Sequence, residues 1–399
     1  MSKAKMRLAA LATHPVQYFA PVFRALAARD DLELKVFFGC PHGLAGEIDP
    51  FFKTAVAWDS APVAGFAHAF VSDAPLTALA GRSGAALGLR AARRVADFQP
   101  DAVLIFSYSP AFITAATLSM AARGQRLLLR AETTDADHAR TGAKNALRDF
   151  LLRRYYRLFQ HVFPIGSHSR DHYLRLGVSP SRMTTAGYAV DYDFFQGQVA
   201  VWNPRREALR AEAGIAPGDK ALLFCGKLHE PKDPLLIARA LALVSPETAA
   251  RTWLFVVGDG DLRAALTAET QAVLGERAVF VGFKNQTELG RYYALCDALV
   301  LPSKTGETWG LVVNEALQFG LPVLASSRVG SAPDLVVHGQ TGFVFPVGDA
   351  GALASAIEKL TALAAMVCLP APLPHPGDLA RAVAETVARG SLPGPDSRA

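Results

Sequence analysis

The sequence has few cysteines and no long apolar run. The four cysteines among its 399 residues are Cys40, Cys225, Cys296 and Cys368. They lie far apart and form no Cys-x-x-Cys pair, which argues against a disulfide framework or a zinc site and favours a reducing compartment such as the cytosol. The first apolar run, residues 6–13, is too short for a signal peptide core with its flanks, and we interpret it as a strand. No run reaches the length of a membrane span.

Charged residues are also sparse, and they are unevenly distributed. They make up 19% of the chain and hydrophobic residues make up 51%, which is typical of a globular protein and excludes a disordered one. A length of 399 residues predicts two domains. The formal net charge is +5, but residues 1–195 carry +7 and the remainder carry −2. This asymmetry predicts an anionic partner for the first half.

Short apolar strands alternate with helical patterns through most of the chain. The predicted strands are residues 7–13, 32–38, 100–106, 126–130, 163–167, 221–224, 253–257, 278–281, 298–301 and 323–325. Such alternation predicts parallel sheets that are covered by helices on both faces. Asn203-Pro204 breaks the periodicity, so we expect one domain over residues 1–195 and another over 203–362. Residues 363–399 are interpreted as an atypical tail, with four prolines over residues 369–377 and one short helix expected over residues 378–389.

Two carboxylates interrupt the clearest strand–loop–helix unit. The apolar strand Ala298–Leu301 is followed by a polar loop, and a helix predicted over residues 309–319 ends at Gly320-Leu321-Pro322. Glu307 stands at the helix entrance, and Glu315 lies inside the helix. A buried carboxylate needs partners, and sugar hydroxyls can donate hydrogen bonds to it, while the helix start suits a diphosphate. Two glutamates at this spacing are also common as capping or solvent-edge residues.

The residues around these glutamates resemble the donor-site signature of the GT4 family of GT-B glycosyltransferases. That signature reads E-x-F-G-L, then a second glutamate after seven intervening residues, then G-x-P-V. The matching residues here are Glu307, Trp309 in place of Phe, Gly310, Leu311, Glu315, Gly320, Pro322 and Val323. The resemblance implies an α/β GT-B architecture, in which two doubly wound Rossmann-like domains face each other across a cleft. It also implies a retaining transfer from a nucleotide sugar, with Glu307 as the catalytic residue at the sugar and Glu315 on the ribose.

A glycine and two lysines at the start of the second domain resemble the family's diphosphate-binding element. Gly226-Lys227-Leu228 and the later Lys232-Asp233 correspond to G-R-L and K-G, with lysine in place of arginine and aspartate in place of glycine. Two lysines after a strand are also typical of a solvated loop. Phe283 and Lys284 follow the strand predicted over residues 278–281, and the resemblance implies that the backbone at this strand end faces the nucleobase. We therefore predict a donor-binding set of Gly226, Lys227, Lys232, Phe283, Lys284, Thr308, Trp309, Gly310, Leu311 and Glu315.

The first half matches the family less closely. Its first loop begins with His14, where most members carry a glycine pair that approaches the donor phosphate. Tyr108 and Glu132 follow predicted strands, so they should share the carboxyl edge of one sheet with His14, and we take all three as acceptor-side candidates. Each is also typical of a helix-entry or capping residue. Glu132 is preferred to His138, and the aromatic-rich segment 41–75 is interpreted as an acceptor-side loop.

A basic segment closes the first half. Residues 140–182 hold nine Lys/Arg against two aspartates. On a helix predicted over residues 151–159, Arg153, Arg154 and Arg157 fall opposite the apolar side chains. This pattern is typical of an interfacial helix on an anionic membrane, and equally of a helix whose apolar side lies in a core.

The sequence therefore predicts a retaining glycosyltransferase that moves a sugar from a nucleotide-sugar donor to an acceptor hydroxyl. The resemblance suggests cell-surface polysaccharide or glycolipid assembly, with a sugar or lipid-linked acceptor, in the cytoplasm or at the inner membrane face. We expect no metal, because lysines and a helix entrance would meet the leaving-group charge. We also expect no other cofactor and no nucleic-acid partner. A sugar-nucleotide isomerase or hydrolase of the same fold, and a non-catalytic sugar-nucleotide-binding protein, remain open as alternatives.

Overall fold

The computed structural model describes residues 5–44, 47–48, 55–56, 62–135, 142–362 and 373–390. The chain divides into two compact units. Unit 1 comprises Met1–Glu47, Ser60–Tyr188 and Pro374–Ala399, and unit 2 comprises Ile48–Asp59 and Ala189–Leu373. His138 and the middle of the aromatic-rich segment, including Phe51, Phe52 and Trp58, lie outside the described residues, so the acceptor-side interpretation of that segment stays a prediction.

The first part of the chain builds a doubly wound parallel sheet. Its strands are β1 (Met6–Ala12), β2 (Leu32–Phe38), β3 (Glu47–Ile48), β4 (Ala55–Val56), β5 (Ala67–Phe70), β6 (Ala102–Phe106), β7 (Leu127–Arg130) and β8 (His161–Val162). Its helices are α1 (Ala20–Ala27), α2 (Gly81–Asp97), α3 (Ala111–Ala122), α4 (Ala143–Tyr156) and α5 (Ser167–Arg175). Six of the strands pair in the order β5-β2-β1-β6-β7-β8, and β3 pairs with β4 separately. The central strands are buried on both faces, which explains their continuous apolar sequence.

Unit 2 repeats this plan. Its strands are β9 (Lys220–Cys225), β10 (Thr252–Val257), β11 (Ala278–Gly282), β12 (Ala298–Leu301), β13 (Val323–Ser326) and β14 (Gly342–Phe345). Its helices are α6 (Tyr192–Trp202), α7 (Arg206–Glu212), α8 (Leu235–Leu241), α9 (Pro246–Ala250), α10 (Arg263–Leu274), α11 (Gln286–Leu295), α12 (Leu311–Gln318), α13 (Ala332–Leu335) and α14 (Ala350–Ala362). The parallel strands follow the order β11-β10-β9-β12-β13-β14.

Each sheet therefore contains a topological switch point, where the strand order reverses direction. In unit 1 this point lies between β1 and β6, and in unit 2 it lies between β9 and β12. Ligands of open α/β sheets bind outside the carboxyl ends of the strands at such a point. The prediction of two doubly wound Rossmann-like domains is confirmed. The loops that follow β9 and β12 are therefore the first place to look for a site in unit 2.

One predicted strand requires correction. The strand predicted over residues 163–167 is wrong, because the edge strand is His161–Val162 and α5 already begins at Ser167. The short helix expected in the tail is present as α15 (Pro376–Ala388), and its apolar face packs against α1 in unit 1. The guanidinium of Arg126 holds the end of this helix by donating to the carbonyls of Val387 (2.8 Å) and Thr386 (2.6 Å). The chain thus returns to unit 1 after unit 2 is complete.

The amphipathic helix of the basic segment differs from its prediction as well. The helix is α4 (Ala143–Tyr156), and it ends three residues before the predicted end. Three residues of the predicted apolar side, Leu152, Tyr156 and Phe159, are buried in the core of unit 1, so most of that side faces the protein interior. Leu151, which was predicted on the same side, is 56% exposed, and contact of this helix with a membrane stays a prediction. Arg140 lies outside the described part of the chain.

Candidate active site

Two glycines of the turn after β10 pack closely against the predicted diphosphate loop. A Cβ atom added to Gly258 would lie 1.9 Å from the carbonyl oxygen of Gly226, and one added to Gly260 would lie 2.4 Å from that of Leu228. Main-chain hydrogen bonds join the same loops, from Gly226 N to Val257 O and from Leu228 N to Asp259 O, both at 2.9 Å. The turn after β10 therefore supports the loop after β9. Its glycines are required by this close approach.

The loop after β12 brings Glu307 next to Lys232. The Lys232 ammonium forms an ion pair with the Glu307 carboxylate, and the Ser303 hydroxyl donates to the same oxygen at 2.9 Å. Glu307 is only 8% exposed. The two loops are also joined through their main chains, because Lys304 N donates to Pro231 O at 2.9 Å. The sequence assigned Lys232 and Glu307 to different parts of the donor, and the structure shows that they interact directly.

Helix α12 begins immediately after this carboxylate. Gly310 precedes its first residue with a φ of 89°, a left-handed conformation that favours glycine. No described side chain caps this helix start. The first-turn amides of a helix lack intrahelical partners, and they are suited to bind anionic oxygens. Thr308 and Leu311 flank this turn, so the predicted donor-binding residues of this segment share one end of the helix.

Glu315 lies deeper than a surface ligand-binding residue. It is 1% exposed, and the hydroxyl of Tyr293 donates to its carboxylate at 2.6 Å. The pKa of the Cys225 thiol is raised to about 12, first by burial and then by the nearby Glu315 charge. A thiol with that pKa stays protonated at neutral pH and is a poor nucleophile. The sequence missed Tyr293, because its position on α11 follows the pattern of a core residue. The ribose role of Glu315 stays a prediction.

The predicted nucleobase residues follow β11. Lys284 forms an ion pair with Glu288 at 3.2 Å, and Glu288 also completes a capping box with Asn285 at the start of α11. This arrangement orders the segment that directly follows Phe283. The structure places Phe283 and Lys284 beyond the carboxyl end of a strand, as predicted, and their role at a base stays a prediction.

His14, the first predicted acceptor-side residue, follows β1. Its Nδ1 lies 2.9 Å from the Thr13 hydroxyl, and its ring meets that of His42 edge to face with centroids 5.2 Å apart. The pKa of His14 is lowered to about 4, mainly by burial and further by His42. His14 is therefore neutral at pH 7. A neutral imidazole can donate a hydrogen bond to the hydroxyl of a sugar acceptor or accept one from it.

Tyr108 and Glu132 each have a partner that the sequence did not reveal. The Tyr108 hydroxyl accepts from the Arg148 guanidinium at 3.1 Å. The Tyr188 hydroxyl donates to Glu132 at 2.6 Å. Part of the Glu132 side chain is exposed, but protein surrounds the carboxylate, and this burial raises the pKa of Glu132. The Glu132 carboxylate is therefore bound by a tyrosine side chain, which the interpretation as a capping residue did not predict.

Arg130, which is 5% exposed, is the buried cation beside Glu132. Its guanidinium donates to the main-chain carbonyls of Phe163 (3.1 Å) and Pro164 (3.0 Å) and also to that of Ala186. Burial lowers the pKa of Arg130 to about 10, which still leaves it charged at pH 7. The sequence could not separate this residue from an ordinary strand end, because its partners are carbonyls from distant segments.

Comparisons with known proteins agree with this geometry. The model of the Glycosyl transferase 4-like domain matches residues 15–189, and that of Glycosyl transferases group 1 matches residues 205–366. HepE of Anabaena, solved in complex with UDP and glucose, superposes with a TM-score of 0.62 over 97% of each chain at 17% identity. The fold and the paired strand-end loops thus define a GT-B protein.

Curated relatives fall in the same class. A D-inositol 3-phosphate glycosyltransferase of Catenulispora acidiphila is 31% identical over 46% of this chain and 43% of its own length. The amylovoran biosynthesis glycosyltransferase AmsK of Erwinia amylovora is 32% identical over 41% of this chain and 44% of its own length. The similarity thus spans less than half of each curated relative. The chain belongs to the GT4 family of GT-B glycosyltransferases, and the predicted resemblance is confirmed.

Proposed function

We propose that the protein transfers a sugar from a nucleotide-sugar donor to an acceptor hydroxyl with retention of configuration. The observation that carries this proposal is the pairing of Lys232 with Glu307 beside the start of α12, at the switch point of unit 2. Transfer needs a stabilised diphosphate leaving group and a carboxylate at the cationic sugar. Lys227, Lys232 and the helix amides supply the first, and Glu307 supplies the second. The acceptor-side candidates His14, Tyr108 and Glu132 belong to unit 1.

The relatives suggest which substrates to test first. UDP-glucose heads the donor panel, because HepE is described in complex with UDP and glucose, and other nucleotide sugars follow. Acceptors are inositol phosphate and a cell-envelope extract, since the relatives act on D-inositol 3-phosphate and in amylovoran biosynthesis. Labelled sugar that reaches an acceptor, with nucleotide release that depends on the acceptor, supports transfer. Nucleotide release without any acceptor indicates a hydrolase, an altered sugar nucleotide indicates an isomerase, and binding without turnover indicates a binding protein.

The reaction is expected to need no divalent metal, because lysines and helix amides meet the leaving-group charge. Paired aspartates can bind a divalent metal, and the sequence contains three Asp-x-Asp pairs, at residues 135–137, 191–193 and 259–261. In the described residues, Asp135 binds Arg175, Asp191 caps α6 and Asp259 binds Arg263. These protein partners support the proposal. Initial rates should be equal in chelator and in added magnesium or manganese. Activity that is lost in chelator and restored by either metal would contradict it.

We place the reaction at the cytoplasmic face of an anionic membrane. Cys40, Cys225 and Cys296 are buried and form no disulfide among the described residues, which suits a reducing compartment. Among the described residues, no helix has the length and apolar character needed to cross a bilayer. Any membrane contact made by this part of the chain would therefore be through its surface.

The outer helix layer, which we define as α2, α3 and α4, is the surface that suits such contact. All three helices bury side chains in one core on the same face of the unit 1 sheet. Their outward sides expose large apolar residues, namely Leu89, Leu118, Leu147, Phe150 and Leu151. Exposed cations of the same helices are Arg82, Arg90, Arg93, Lys144, Arg153 and Arg154. Apolar side chains among cations are typical of a surface that binds anionic lipid, where each cation contributes about 1 kcal/mol.

Vesicle co-sedimentation tests this surface. The protein should bind vesicles of phosphatidylglycerol at low salt, bind less at high salt, and not bind phosphatidylcholine. Replacing Arg153, Arg154 and Arg157 by Glu, or Phe150 and Leu151 by Ser, should weaken binding in folded variants. Leu243→Ser is the matched control, since Leu243 is 61% exposed in unit 2. Absence of binding at low salt, or equal loss in the control, would refute the membrane contact.

A further inference from the structure

The loop that carries Glu307 is fastened to the following loop by its main chain. Gly330 N donates to Glu307 O at 3.0 Å, and Ser331 N donates to Trp309 O at 2.8 Å. A Cβ atom on Gly330 would lie 2.0 Å from Thr308 O, so a side chain there would push the two loops apart. The backbone on both sides of the Glu307 side chain is thus restrained. These contacts do not reach α12.

A side-chain hydrogen bond makes the connection to α12. The indole Nε1 of Trp309 donates to Oδ1 of Asn314 at 2.8 Å. Both residues are almost fully buried, with exposed fractions of 3% and 1%. A buried indole N–H that lost its partner would be costly, so Trp309 requires an acceptor at this place. Phenylalanine, which is usual at this position in the family, would not require one.

We propose that Asn314 is a positioning residue for sugar transfer, which rests on the proposed function. Through Trp309 it ties the loop of Glu307 to the part of α12 that carries Glu315, its immediate neighbour in sequence. The two carboxylates are thereby held in one relation to each other. A reacting group that is misplaced by about 1 Å can lose about 100-fold in rate. Loss of the tie should therefore act on kcat more than on nucleotide binding.

Three variants test this role: Asn314→Leu, Trp309→Phe and the double variant. All three variants lack the hydrogen bond between the indole and the amide, and Asn314→Leu in addition leaves the buried indole N–H without its acceptor. We expect each single variant to lose about 10- to 100-fold in kcat, with KM for the donor and Kd for the nucleotide diphosphate within about twofold of the wild type. The double variant should lose kcat to a similar extent, because it lacks the same hydrogen bond, and it has no unpaired indole N–H that could account for the loss. If Asn314→Leu does not fold, Trp309→Phe and the double variant still make the comparison.

Gln318→Leu is the matched control, because Gln318 is also a buried amide on α12 but bonds to Gln196 at 3.1 Å. It should lower thermal stability without changing kcat. The inference is overturned if the single variants keep wild-type kcat, if the double variant recovers wild-type kcat, or if nucleotide affinity falls together with kcat. A wild-type protein that transfers no sugar would instead defeat the proposed function, and the inference would fall with it.

Discussion

Replacement of Glu307 by glutamine is expected to lower sugar transfer by about 1,000-fold without weakening the binding of the nucleotide diphosphate. Glutamine has the same shape and can still accept from the Ser303 hydroxyl, which lies 2.9 Å from the carboxylate. It lacks the negative charge that would stabilise a cationic sugar in the transition state. It also no longer neutralises Lys232, the ion-pair partner of Glu307. Lys232 is then more available to a diphosphate, so nucleotide affinity should be equal or slightly higher.

Single-turnover transfer and calorimetric titration with the nucleotide diphosphate measure the two effects separately. Glu230→Gln is the matched control, because Glu230 also pairs with a lysine, Lys304, but is largely exposed to solvent. That variant should keep both transfer and binding. Equal losses of rate and affinity in Glu307→Gln would show that Glu307 contributes to ground-state binding rather than to the chemical step.

Much of the fold follows from local sequence pattern. β12 is a short, continuous apolar segment, and β2 alternates apolar and charged residues before it ends in Val36-Phe37-Phe38. The predicted limits of both strands match the structure. The strand prediction failed over residues 163–167, where an apolar segment does not continue the sheet. Residues 163–166 are apolar enough for a strand, but pairing with β7 ends after Val162 and the bond from Phe163 N to Leu129 O, because Pro164 has no N–H to donate. The carbonyls of Phe163 and Pro164 accept from Arg130 instead, and the sequence did not reveal that contact.

The same limit applies to helix faces and to the site. The apolar residues of α4 were visible in the sequence, but which of them pack inward depends on the neighbouring helix. The Tyr155 hydroxyl donates to that of Thr117 on α3 at 3.0 Å. With α4 packed against α3 in this way, Leu152 and Tyr156 lie in the core. Glu307 was found because the signature is local. Ser303, Tyr293 and Asn314 were missed because their functional contacts are set by packing.

Replacement of Lys232 by alanine should weaken donor binding by about 1.5–3 kcal/mol, the scale of a hydrogen bond to a charged group. The corresponding nucleoside, which lacks phosphates, should bind almost as it does to the wild type. Calorimetric titration with nucleotide diphosphate and with nucleoside measures both. Lys304→Ala is the control, since Lys304 pairs with the exposed Glu230 at the neighbouring loop. If nucleoside and diphosphate are weakened alike, Lys232 supports the fold of the site and does not bind phosphate.

The pairing of Lys232 with Glu307 adds a second expectation that the sequence alone did not offer. Glu307 is 8% exposed, and removal of Lys232 leaves its carboxylate without a cation. Thermal stability should therefore fall as well. In Lys232→Ala/Glu307→Gln that uncompensated charge is absent, and most of the lost stability should return, while donor binding stays weak. Stability and affinity would then respond differently to the same second substitution. That separation requires that Lys232 serves two partners, the Glu307 carboxylate in the protein and a phosphate in the ligand. If the double variant is no more stable than Lys232→Ala, the ion pair contributes nothing to folding and only the phosphate role remains.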